Sequence, residues 1–77
     1  MQVVLNNPIL YVVDYPDVDG LEAIDKRRAR GMYLFGDAAQ RFRDELADAL
    51  KRGEGADELD LCIDQFDGLF TQPAIYQ

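Results

Sequence analysis

A chain of 77 residues with a net charge of −7, one cysteine and no histidine excludes several chemistries before any motif is read. A single cysteine forms no internal disulfide, and without histidine there is no Cys/His zinc site and no Ser-His or Cys-His nucleophile. The acidic balance makes free DNA or RNA a poor match, because phosphate binding needs a basic footprint.

The length implies one domain, 1–77, that buries only about 60% of its unfolded surface, so its support must come from good packing or self-association. No run approaches the roughly 20 apolar residues of a membrane span, and no basic-then-apolar leader precedes a cleavage site. A soluble cytoplasmic protein is expected. The 48% hydrophobic content argues against disorder.

Gln2 to Leu5 (QVVL) is β-branched and apolar, and Asn6-Asn7-Pro8 breaks it. Ile9 to Tyr15 (ILYVVDY) resumes, so the two runs read as a hairpin. Ile9, Tyr11, Val13 and Tyr15 share one face of the second strand; Leu10, Val12 and Asp14 share the other. Both faces are largely apolar, whereas a sheet covered on one side should alternate more cleanly. Pro16-Asp17-Val18-Asp19-Gly20 is a loop. Its Asp-x-Asp-Gly resembles part of a calcium-binding EF-hand loop, but the loop's first position falls on Tyr15 and its twelfth on Lys26, where carboxylates are required.

Leu21 to Lys26 reads as a third strand, and Met32 to Phe35, between Gly31 and Gly36, as a fourth. Lys26, Arg27, Arg28 and Arg30 make a basic tip between them. This is the one concentration of positive charge: residues 1–25 carry five acids and no base, and residues 54–77 carry six acids and no base. These four residues are the candidate partner-binding site, as an anchor for an acidic partner or a phosphate backbone. The plainer reading is a solvated hairpin tip that deters edge pairing, at which an Arg28→Ala change would be nearly neutral.

Gly36 to Gly53 holds the clearest element. Asp37 and Gln40 approximate a capping box. Ala39, Phe42, Leu46, Ala49 and Leu50 form one apolar stripe, while Lys51 and Arg52 suit the negative end of the helix dipole and Gly53 suits the position after it. Asp57 or Glu58 opens a second helix. Leu59, Cys62, Ile63, Phe66, Leu69 and Phe70 form its stripe, and Leu61 falls outside it. The stripes should meet each other and one sheet face. Cys62 on that stripe reads as an inert core residue, and Tyr11, Tyr15, Tyr33 and Phe35 as core candidates. Asp57, Glu58, Asp60, Asp64 and Asp67 either mimic a nucleic-acid backbone, dock on a basic protein, or form a solvated face. Residues 71–77 are a non-helical tail in which Ile75 and Tyr76 pack back on the body.

At YVVDYP, GLEAIDKRRARGMYLFGDAAQRFRDEL and FDGLFTQP the chain resembles a family of short bacterial proteins known only as a domain of unknown function. The resemblance covers nearly the whole chain. The family pattern ends in leucine-histidine where this chain has Tyr76-Gln77. The resemblance implies this order of elements and a cytoplasmic bacterial setting; it brings no activity, ligand or cofactor.

The reading is an α+β fold: about four antiparallel strands as a meander over 1–36, two helices packed on one face over 37–70, and a tail over 71–77. No catalytic constellation, cofactor, metal or small-molecule site is evident, so the chain is read as a non-enzyme. The function that follows is a protein-interaction module, either self-associating or adapting to another protein. The alternative is a nucleic-acid-associated regulator that uses the basic tip.

Overall fold

The computed structural model describes residues 1–53 and 55–74. Strands β1 (Gln2–Asn6), β2 (Leu10–Tyr15), β3 (Gly20–Asp25) and β4 (Arg30–Phe35) run as an antiparallel meander. Helices α1 (Gly36–Arg52) and α2 (Ala56–Gln65) follow, and β5 (Gln72–Pro73) returns to pair with β4, giving the sheet order β1-β2-β3-β4-β5. The fold is α+β as expected, with a fifth strand drawn from the C-terminal segment. Pro73 pairs with Arg30 at the sheet edge, where a missing N–H is tolerated. Ala74 N–H then donates to the Ala29 carbonyl at 3.0 Å. Ile75 and Tyr76 lie outside the described residues.

Local chemistry explains the turns. Asn7 Oδ1 accepts from the N–H groups of Ile9 and Leu10, both at 2.9 Å, and so closes the β1–β2 turn. A β-bulge interrupts the pairing of β1 between Val3 and Leu5. It turns Leu5 inward opposite Val12, while Val3 stays outward opposite Val13. A short 3₁₀ turn, Pro16–Val18, links β2 to β3.

β4 runs directly into α1 through Gly36, whose φ of +58° suits a residue without Cβ. Phe35 is the N-cap, in extended conformation, and no side chain caps the helix. The expected Asp37/Gln40 capping box is therefore not formed. Gly36 N–H is drawn to the Asp19 carbonyl at 3.0 Å, the helix starts two residues early, and the Gln40 amide donates to Asp44 Oδ1 instead. At the other end Gly53 has φ +130° and donates to the carbonyls of Ala49 and Leu50.

α2 is shorter than its apolar stripe. It ends at Gln65, and a 3₁₀ turn over Asp67–Leu69 replaces the last helical turn. With 3.0 residues per turn instead of 3.6, the register rotates. Leu69 is turned out to solvent, contrary to its place on the stripe, while Phe70 stays in the core. Leu61 is exposed, as its position off the stripe requires.

The core lies between the two layers. Leu5, Leu10, Val12, Leu21, Ala23, Met32 and Leu34 from the sheet meet Ala39, Phe42, Leu46 and Ala49 of α1 and Leu59, Cys62, Ile63, Phe66 and Phe70 beyond it. Phe42 and Phe66 join the helices in an edge-to-face contact with centroids 5.0 Å apart.

Candidate functional site

Alternation along the strands puts the core residues on the inner face and leaves a second, outer face. The strand register sets Val3, Val13, Glu22 and Tyr33 side by side there, with Tyr15, Gly20 and Phe35 as the next row. Val13 and Ile24 are buried among their neighbours, but Tyr33 is 57% exposed, Phe35 58%, Val3 50% and nearby Val18 62%. Tyr11 and Tyr15 are half-buried. The aromatic residues are thus divided: Phe42, Phe66 and Phe70 enter the core, whereas Tyr11, Tyr15, Tyr33 and Phe35, also read as core candidates, do not, because both helices cover the same face. The two-sided apolar character of Ile9–Tyr15 was the available signal for this second surface.

Among the described residues, Glu22 is the carboxylate set among the aromatic residues of this face. Tyr15 Oη donates to Glu22 Oε1 at 3.1 Å. Tyr33, directly across from Glu22 on β4, also interacts with it. Desolvation, reinforced by the hydrogen bond to Glu22, raises the Tyr15 pKa. For Tyr33 the interaction with Glu22 is the main cause of a raised pKa. Both phenols therefore stay protonated, because a phenolate beside a carboxylate is disfavoured. Gly20 gives Phe35 its place: a Cβ there would lie 2.8 Å from the Phe35 ring, so the ring leans over bare backbone beside Tyr15.

The basic tip is built differently from a free cationic patch. Asp25, fully buried, accepts from the backbone N–H groups of Arg27 (3.2 Å) and Arg28 (3.3 Å) and from Arg28 Nη1 (2.8 Å). This interaction raises the Arg28 pKa. Arg27 is ion-paired with Asp60 of α2, and Arg30 with Asp67 at 3.3 Å. Lys26 Nζ donates to Asn6 Oδ1 at 2.6 Å. The basic tip and the acidic helix, two separate surfaces in the sequence, meet across the fold. Asp25, which organises the turn, carried no signal in the sequence beyond its place at the end of a strand.

A cleft of about 230 Å³ lies between α1 and the sheet, lined by Val4, Leu21, Leu46, Ala47 and Leu50, with the Arg43–Asp14 ion pair (2.6 Å) at its wall. Cys62 is buried on α2, and burial pushes its thiol pKa up to about 11. A thiol held that high is protonated at neutral pH and a poor nucleophile. Iodoacetamide should label it slowly in the folded protein and rapidly in urea. Because the folded pKa is raised, the group favours the folded state below the ordinary value of 9.0, and this contribution is lost as pH rises from there towards 11. Equal labelling rates with and without urea would show that the thiol is not enclosed.

Residues 1–77 match the model of a family described as a protein of unknown function, DUF3567. A Burkholderia thailandensis protein, Protein BTH_I0359, is 34% identical over 83 residues, and the match covers 97% of this chain and 98% of that protein. The chain belongs to this bacterial family of unknown function, as its resemblance implied. No solved structure matches it. Among the described residues, no helix is long and apolar enough to cross a membrane.

Proposed function

We propose that the protein is a cytoplasmic, non-enzymatic interaction module that docks a basic protein partner on its outer sheet face. The observation that carries this reading is the exposed group Tyr33, Phe35, Val3 and Val18 on a face that neither helix covers. Exposed aromatic and aliphatic side chains gathered on one uncovered sheet face mark interaction sites. Charge selects the partner. Two copies, each at −7, repel one another, whereas a basic surface is steered towards the face. The alternative of a nucleic-acid regulator has less behind it, since Arg27, Arg28 and Arg30 already face Asp60, Asp25 and Asp67.

Photo-crosslinking in the native cell tests the reading, with p-benzoyl-phenylalanine replacing Tyr33 or Phe35 and, as control, Leu61. The same basic protein should be captured from both face positions and not from Leu61. Once purified, it should bind the wild-type chain, with at least tenfold weaker binding to Phe35→Glu. Absence of a common captured protein would overturn the reading. So would a wild-type dimer in sedimentation equilibrium that Phe35→Glu dissociates, since the occupant would then be a second copy.

A further inference from the structure

The outer face holds more than apolar area: its exposed end is built around a carboxylate. Glu22 lies half-buried on the central strand with Tyr33 directly opposite it, Tyr15 bonded to it, and Phe35 two residues along β4 from Tyr33. Same-face neighbours across strands have Cβ atoms about 4.5–5.5 Å apart and diagonal ones about 7–8 Å, so all three rings lie within reach of a group seated on Glu22. A carboxylate accepting from the Tyr15 phenol, with Tyr33 facing it across the strands, retains lone pairs for further donors, because its two oxygens offer about four acceptor positions. Asp17 and Asp19, both exposed, follow Tyr15 at the same end of the sheet. Lys26, the cation in line with Glu22 on this face, lies at the opposite end of β3 and bonds to Asn6.

We propose that Glu22, Tyr15, Tyr33 and Phe35 form a cradle for an arginine side chain presented by the docking partner. This rests on the reading of the outer face as a docking surface and names what that surface recognises. A guanidinium matches the site better than an ammonium. It is planar, stacks on aromatic rings, offers five donors in a fixed fork and is less strongly hydrated. Its in-plane N–H groups reach the Glu22 oxygens while its face lies on Phe35 or Tyr33. The Tyr15 hydroxyl holds Glu22 in place, so less ordering of the carboxylate remains when the cation arrives.

Titration of the full chain with N-acetyl-arginine amide, followed by backbone amide shifts, tests the cradle directly. Saturable shifts should centre on Tyr15, Glu22, Tyr33 and Phe35, in the millimolar range expected of so small a probe. N-acetyl-citrulline amide, the neutral analogue, should bind at least tenfold more weakly. Glu22→Gln should lose at least tenfold in affinity at an unchanged melting temperature, and Tyr33→Leu severalfold. Equal response to the citrulline analogue, retained affinity in Glu22→Gln, or shifts centred on Asp57, Asp60 and Asp64 of α2 would overturn the proposal. The two readings fail separately. Crosslinking from Tyr33 and Phe35 without arginine binding keeps the docking face and removes the cradle. Arginine binding without any crosslinked protein keeps the cation site and removes the protein partner.

Discussion

Phe42→Ala and Phe66→Ala are each expected to bring the protein close to global unfolding, at a cost of about 3–5 kcal/mol from lost transfer energy and a residual cavity. Both rings are almost wholly enclosed, at 0% and 2% exposure. They contact each other edge-to-face, so either truncation also removes a specific aromatic pair worth about 0.5–1.5 kcal/mol beyond its area. Arg41 lies over the Phe66 ring at 5.1 Å and covers it from the solvent side. A domain of this size holds on the order of 5 kcal/mol in total, so one such loss consumes most of it. Urea denaturation provides the measurement. The double variant should be less destabilised than the sum of the two, since the shared contact is lost only once. Wild-type midpoints for both single variants would show that the helix faces do not pack as described.

Asp25→Ala should be the most damaging change outside the apolar core, at about 1.5–3 kcal/mol, the range for hydrogen bonds to a charged group. Two backbone N–H groups of the β3–β4 turn lose their acceptor at once, and Arg28 loses its partner. Ala29 in the same turn has φ +54°, a left-handed conformation that an alanine holds only under the constraint of its surroundings. Asp25→Asn keeps an oxygen for the N–H groups and should be the milder change. Arg28→Ala, nearly neutral on the sequence reading, should instead be measurably destabilising, because it strips the cation from a buried carboxylate. Urea midpoints should fall in the order wild type, Asp25→Asn, Asp25→Ala. An Asp25→Ala midpoint equal to that of wild type would mean that the turn is held by other contacts.

The core and the proposed docking face make opposite demands on the same strands. In β4, Met32 and Leu34 are buried against the helices, while Tyr33 and Phe35, which alternate with them, are exposed. Stability is set on one side of the sheet, and the proposed recognition falls on the other. The proposed cradle residues are accordingly open to substitution with little effect on folding. Arg27, Arg28 and Arg30 serve the fold by tying the β3–β4 turn to its own strand and to the α2 region.

Much of this was legible in the residues. The hairpin over Asn6-Asn7, the strands to Phe35, the stripe Ala39/Phe42/Leu46/Ala49 and the burial of Phe66 all follow from periodicity and turn chemistry, because hydrophobic spacing and short-range hydrogen bonding are local. The tertiary structure decided what depends on distant partners. The Val3/Leu5 bulge sends two residues of like parity to opposite faces, which no alternation rule reveals. Gly36 is drawn to Asp19 and displaces the cap expected at Asp37. Gln72 and Pro73 become a strand only because the edge of β4 is there to receive them. Arg27 and Asp60 are 33 residues apart in sequence, and only the fold turns two opposing charge clusters into an ion pair. The outer face likewise became a surface when both helices packed on the inner one, since the apolar pattern of a strand says that both sides resist water but not which side the rest of the chain will cover.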